Sequence, residues 1–477
     1  MMNKKIIISI IAGSVMLGGS GCKKFLDVNN DPAAATNVTD ALLVGGAELT
    51  TAFNIAGGYP ARTAAFWTQQ LGYDQPAPEW DTYKVTASDV DNTWSFDMYP
   101  QILNNLKILQ DQATTANHPH AAGMGKILMA YNLAVTTDLW NAIPYSQAFT
   151  GFENFKPKYD SQESIYTSIN TLLDDAIALL AKEDASASVG DKDLIYASDP
   201  EKWTAFAYFL KARFALRLTY APGKVAATQA QAALTALTKA FPDESYNPGV
   251  KFESKSGAQA PWSQFTDNDK WGSVAVSSTF IQLLKSTNDP RLSVMVDTAL
   301  LGGGYRGRII GDEQINIDSL SAVGKFFAAA DQSVYLATYD EQLFIKAEAT
   351  FLTAGFVAAQ PILNSAVEAT FTRFGMKPLG ADSTAFKTYL AAKCKLTAAN
   401  AYEVIMTQKY ISNYLSLESY NDWRRTNFPK LTVVQNAYQG ITTVPRRWVY
   451  PASENETNAQ PEQPAKVTDR VWWDTKQ

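Results

Sequence analysis

Histidine and cysteine are nearly missing from this chain of 477 residues, each occurring only twice. His118 and His120 share one turn, Asn117-His118-Pro119-His120, read as an exposed turn before a helix. Two ligands one residue apart fall short of the three or four that zinc takes. A Ser-His-Asp triad would have only that turn to draw its base from. No basic run stands out and the net charge is −6, so nucleic acid is a poor partner. Long apolar runs are scarce too. The one that opens the chain, Ile6 to Leu17, is short of the roughly 20 residues needed to span a bilayer.

Other chemical motifs are incomplete. Gly302-Gly303-Gly304-Tyr305-Arg306-Gly307-Arg308 has the spacing of a phosphate loop. Arg308 and Ile309, however, replace the Lys and Ser/Thr that would hold phosphate and Mg2+. Asp267, Asp269 and Gly272 resemble a calcium loop, but Trp271 and Ser278 occupy ligand positions five and twelve. No cofactor is therefore expected, with a structural Ca2+ left open. Among 47 acidic residues, only separation in space would reveal a pair for glycoside hydrolysis.

What is present begins at the N-terminus. Lys4 and Lys5, the short apolar run and the small residues Gly18-Gly19-Ser20-Gly21 make a secretory signal over residues 1–21. Cys22 follows directly, where a bacterial lipoprotein processing site requires it, although Gly19 stands where such sites usually carry Leu. Cys22 is read as the lipidated residue, and two acyl chains suffice for stable anchoring. Residues 22–36, with Asn29-Asn30-Asp31-Pro32, read as a lipidated tether, and 37–477 as the body. Loss of Lys4 and Lys5 takes the net charge to −8. With Cys22 acylated, Cys394 has no partner, so the core must hold the molecule together without a disulfide.

The body reads as mainly α. Ile165, Ile169, Leu172, Leu173, Ala176, Ile177 and Leu180 form a stripe of helical period, with a cap and a Glu in Asp160-Ser161-Gln162-Glu163. Ser198-Asp199-Pro200-Glu201 repeats the device ahead of Trp203, Phe206 and Leu210. Pro222-Gly223 then precedes an Ala-rich helix. Helix–turn–helix pairs at 199–241 and 334–374 suggest a tetratricopeptide-like stack. Further helices are expected at 40–54, 61–71, 94–111, 121–138, 384–394 and 398–425, with Trp67 and Trp94 in the core.

Two stretches depart from helical patterning, about 72–93 and about 242–332. The first carries Tyr73, Trp80 and Tyr83; the second carries Trp262, Phe265, Trp271 and Tyr305. Loops of such length within a compact body are usually functional. Aromatics make up 12% of the chain, with 11 Trp and 22 Tyr, residues that favour surfaces where one end stays wet.

Several motifs in order then resemble one family. They are Cys22 to Asp27 with Asp31-Pro32, Asp138-Leu139-Trp140-Asn141-Ala142-Ile143-Pro144-Tyr145, and Asp199-Pro200 with Trp203 and Lys211-Ala212-Arg213. Asn288-Asp289-Pro290-Arg291-Leu292 and Glu341 with Lys346-Ala347-Glu348-Ala349 continue the series. Asp422-Trp423-Arg424-Arg425-Thr426, Val444-Pro445-Arg446-Arg447-Trp448 and Trp472-Trp473-Asp474 close it. Together they resemble the SusD/RagB family of Bacteroidetes nutrient-binding outer-membrane lipoproteins, over nearly all of the mature chain.

The resemblance implies a tetratricopeptide-like scaffold with a loop-rich ligand-binding portion. It implies a non-enzymatic, surface-exposed binder that passes oligosaccharides, or in some members peptides, to a SusC-like TonB-dependent barrel. Lys23 and Lys24 stand where acidic residues tend to follow the Cys, so the outward orientation rests on the resemblance. Binding aromatics in the family come from an early loop and a middle insertion. The expected ligand-binding residues are therefore Trp80, Tyr83, Trp271 and Trp262, then Tyr73 and Tyr305, with Arg62 for polar contacts. A lipid-anchored helical glycosidase or lyase, and a helical adaptor for protein alone, remain the readings of a different class. The Asp422-Trp423-Arg424-Arg425 run is expected to be structural.

Overall fold

The computed structural model describes residues 38–266, 274–376, 384–460 and 464–476. The signal and the tether over 1–36, Trp271 and the Asp267–Gly272 loop lie outside the described residues. The chain from Asp40 onward forms one unit.

Local chemistry sets the helix starts. Ser161 Oγ accepts the Ser164 amide at 3.3 Å, opening the helix Gln162–Leu180. Asp199 accepts the amides of Glu201 and Lys202, and Pro200 takes the first helical position, whose missing N–H costs nothing there. In chain order the helices are α1 (Asp40–Thr50), running on as a π-helical turn Thr51–Ala56, and α2 (Tyr59–Trp67). A π-helical stretch, Thr93–Asn104, leads into α3 (Asn105–Ala116) and α4 (Pro119–Trp140). Then come α5 (Gln162–Leu180), α6 (Pro200–Arg217) and α7 (Ala226–Leu237). After the middle segment come α8 (Tyr339–Arg373), α9 (Thr384–Lys393), α10 (Ala401–Ser412) and α11 (Leu417–Thr426).

Successive members of the series α3, α4, α5, α6 and α7 pack on one another; α7 then meets α8, and α8 meets α10. This is the stacking of a repeat scaffold, in which each layer buries the face its neighbour exposes. Close approach is built in. A Cβ on Gly123 of α4 would lie 2.9 Å from Leu180 Cγ of α5, and α7 buries only Ala230, Ala233 and Ala236. Gly355, at φ 81°, breaks α8 into two arms.

The middle stretch is loop-rich with short helices. They lie at Pro261–Thr266, Ser278–Ser286 and Leu292–Met295, set among irregular chain, as its composition implies. Three two-stranded antiparallel pairs join distant segments. Leu71–Tyr73 pairs with Val274–Val276, Ile143–Pro144 with Tyr159–Asp160, and Gly249–Lys251 with Ser333–Tyr335. The first ties the early loop to the middle segment; the third brings that segment's ends together.

The core holds many ions. Arg213 pairs with Glu341, Arg291 with Asp289, Arg373 with Asp340 and Lys409 with Asp422. Arg217 bonds both Asp138 and Glu418, while Asp138 also accepts the Trp473 indole N–H at 2.6 Å and the Tyr166 hydroxyl at 2.7 Å. The C-terminal Trp-Trp-Asp run is thus sewn to α4. The histidine turn is less exposed than expected: His118 Nδ1 lies 2.6 Å from Asp40 Oδ2, fixing the start of α1. Trp67 and Trp94 are buried, as their helical patterns imply.

Candidate functional site

A cleft of about 220 Å3 opens where the Thr51–Ala56 turn, the start of α2, the π-helical stretch and the Pro261–Thr266 helix converge. Local packing sets these elements close. A Cβ on Gly57 would come within 2.4 Å of Pro261 Cγ, so the middle segment seats directly on the turn before α2. The rings of Phe53, Tyr59 and Phe265 line the cleft, and Arg62, Asn54, Asp97 and Gln264 bring polar groups into it.

Arg62 lies one helical turn after Tyr59 on α2, which puts both side chains on one face. Its guanidinium carbon stands 4.2 Å from the Phe265 ring centroid and 5.8 Å from that of Tyr59. Burial pulls its pKa below the ordinary arginine value, against the opposing influence of the Tyr73 and Tyr59 hydroxyls. Its Nε is buried without a hydrogen-bond partner. Across the cleft, Asp97 Oδ1 accepts the Asn54 amide at 2.7 Å, and burial raises the Asp97 pKa although that bond lowers it. Flat apolar rings beside a few convergent polar groups suit a ligand with both C–H faces and hydroxyls.

The sequence-predicted residues divide. Arg62 lines the cleft. Trp262 belongs to the helix that forms one wall, but its own ring is only 7% exposed and faces an inner cavity of about 110 Å3 shared with Tyr131 and Phe327. Tyr73 stacks on Phe66 at 4.6 Å and is partly buried; Tyr305 is partly buried on a separate part of the middle segment.

The expected display of Trp80 and Tyr83 is corrected. Trp80 is 7% exposed, its ring centroid 3.8 Å from Tyr59 and 6.3 Å from Trp448. Its carbonyl accepts the Trp67 indole N–H at 3.2 Å. Tyr83 is fully buried, and its hydroxyl accepts the Val434 amide at 3.3 Å. The early loop folds inward because Asp81 accepts the Tyr73 amide and Trp67, Tyr59 and Trp448 offer it an apolar bed. Sequence reasoning misses Phe53, Tyr59 and Phe265 as lining residues. Phe53 and Tyr59 fall in or beside helical patterns, where an aromatic reads as core. Only the Gly57-Gly58 break between them signals an open edge.

A family model described as starch-binding, associating with the outer membrane, matches residues 32–451. A solved SusD/RagB family protein from Bacteroides thetaiotaomicron is 26% identical, with a TM-score of 0.76 over 92% of this chain and 99% of that one. A chitin-binding protein superposes with a TM-score of 0.78 at 23% identity, over 92% of this chain and 100% of that one. A chitin-binding SusD homolog from Flavobacterium johnsoniae gives 0.72 at 21% identity, covering 91% of this chain and 99% of that one. Among curated proteins nothing matches.

Proposed function

The chain belongs to the SusD-like family, and from that membership we propose that it captures an oligosaccharide at the cell surface and hands it to a SusC-like TonB-dependent barrel. The observation that carries the reading is the cleft between α2 and the Pro261–Thr266 helix, with rings of Tyr59 and Phe265 beside Arg62 and Asp97. Aromatic faces take the C–H faces of a sugar, and the polar groups take its hydroxyls. Relatives of the same fold described as chitin-binding support a glycan as the ligand.

Capture without turnover is the chemistry the cleft suits. Its described lining contributes one carboxylate, Asp97, whereas glycoside hydrolysis generally uses two. No group of His, Cys, Asp and Glu among the described residues is arranged to hold a metal ion. Arg62 and Trp271 remain ligand contacts in this reading, with Phe53, Tyr59 and Phe265 added. Lipidated Cys22 tethers the body to the outer membrane.

The test is calorimetry of the purified soluble body against a panel of oligosaccharides and short peptides, with chromatography of the incubated sugars. Binding of a glycan without cleavage is expected. Product formation would replace the binder with an enzyme, and binding of peptides alone would replace the glycan. Release of a Cys22→Ser variant from membranes, in cells lacking the partner barrel, tests the anchor.

A further inference from the structure

Arg62 is set apart from every other arginine in the chain. Arg213, Arg217, Arg291, Arg373, Arg425, Arg446 and Arg470 each bond a carboxylate. Arg306, Arg308, Arg424 and Arg447 each donate to a backbone carbonyl. The Arg62 side chain donates to nothing among the described residues: its Nε is buried and unsatisfied, and no carboxylate is among the groups that act on it. Asp97 lines the same cleft but is engaged by Asn54, and no ion pair joins it to Arg62.

Arg62 is partly buried with its Nε shut off from water, and a cation so placed without an anion is destabilising, because removing one partner of a buried pair costs more than the pair contributes. The ring of Phe265 at 4.2 Å offsets part of that cost through its electron-rich face and leaves the edge of the guanidinium open. Hydroxyls of a neutral sugar can accept from that edge, but only an anion cancels the charge. The planar fork of a guanidinium matches the two oxygens of a carboxylate. The remaining polar lining, Asn54, Gln264 and Asp97, is of the kind that meets hydroxyls.

Resting on the capture reading, we propose that the ligand is an acidic oligosaccharide whose sugar carboxylate seats on Arg62 while Phe265 and Tyr59 pack its ring faces. The protein carries the missing counter-charge as an unfilled place, and the ligand fills it. The free protein is therefore less stable than it would be with a neutral side chain at this position, a trade common where function demands an unpaired group.

Calorimetry with a short oligogalacturonate and its carboxyl-reduced neutral counterpart tests this, alongside a peptide with a free or amidated C-terminus. The acidic sugar is expected to bind at least about tenfold more tightly than the neutral one, the gap narrowing as salt rises. Arg62→Gln should weaken the acidic sugar more than the neutral one, so that the gap closes, and raise the melting temperature of the free protein. Arg62→Lys should retain part of the preference. Equal affinity for both sugars, undisturbed by Arg62→Gln, would overturn the acidic ligand and leave glycan capture standing. Failure of every sugar, with binding of the free-carboxylate peptide alone, would overturn both. A fall in melting temperature for both Arg62→Gln and Arg62→Met would overturn the unpaired charge itself.

Discussion

Arg425 sets its two terminal nitrogens against the two oxygens of Glu348, Nη1 at 2.5 Å from Oε1 and Nη2 at 2.7 Å from Oε2. The pair is buried and bolts α11 to α8; Asp422 reinforces it at 2.9 Å from Arg425 Nη2. Burial alone would raise the Asp422 carboxyl, yet Lys409 and then Arg425 hold it well below the usual carboxylate range. Glu348→Ala should cost about 3 kcal/mol, since it takes away the bidentate partner of a buried guanidinium and leaves it only Asp422. The double change Glu348→Leu with Arg425→Met should recover much of that loss. Urea unfolding of the three proteins measures it, and equal stability of the single and double variants would contradict the pairing.

The inward fold of the early loop leads to a contrast between rings. Trp80→Ala should lower stability by about 3–5 kcal/mol, as expected for emptying a well-packed core site. Phe265→Ala, on the cleft wall, should leave most of the stability and weaken ligand binding about tenfold or more. Melting curves and calorimetry on the same two variants separate these roles. The reverse assignment would place the ligand over the early loop instead.

Asp81 should make stability depend on pH. Burial pushes its carboxyl up to about 6, although the Tyr73 amide and Arg308 work the other way. In the unfolded chain an aspartate titrates near 4, so between these values the folded protein binds more protons. The contribution is whole below the unfolded value and is lost as pH rises through about 6. Asp81→Asn can still accept the Tyr73 amide and has no charge to bury. Relative to the natural protein, its unfolding free energy should gain roughly 2 kcal/mol between pH 4 and pH 7, from about 1.36 kcal/mol for each pH unit separating the folded and unfolded pKa, part of which is already lost at pH 4. Denaturant titrations across that range would show a constant difference if Asp81 were not responsible.

Cys394 is fully buried, and burial, the largest influence on it, pushes its thiol up to about 12. A thiol-specific reagent should leave it unmodified in the native soluble body and modify it at once in denaturant. Cys394→Ala should cost the stability of a small core truncation and leave ligand affinity unchanged. Rapid native labelling would show that the site opens.

The helical scaffold is legible in the sequence because its signals are local. Asp199 before Pro200 caps a helix within two residues of itself, and the Ile165 to Leu180 stripe needs only its own period. The Asp422–Arg425 run is structural, as expected. The fate of the early loop is not legible, since Trp80 is buried by Tyr59 and by Trp448, which lies far along the chain. An aromatic in a Pro-rich loop reads the same whether it faces water or a partner so remote. That Arg62 is a polar side chain close to the early loop is legible; its want of a partner is not. That is a property of all the neighbours at once, and no spacing encodes it.

The pairing of Gly249–Lys251 with Ser333–Tyr335 sets the two ends of the intervening chain side by side. To the helices on either side, everything between those strands is a single long hairpin loop. The entropy of closing such a loop grows only with the logarithm of its length. The exposed turns within the segment can therefore lengthen or shorten while α7 and α8 keep their seats. Its fixed points are the strand that meets Leu71–Tyr73, the Phe280 ring stacked on Tyr414, and buried Arg291, which bonds Tyr389 of α9 and Gln408 of α10. Variation in the length of those turns is thereby uncoupled from folding, and the buried ion pairs of the stack stay as they are.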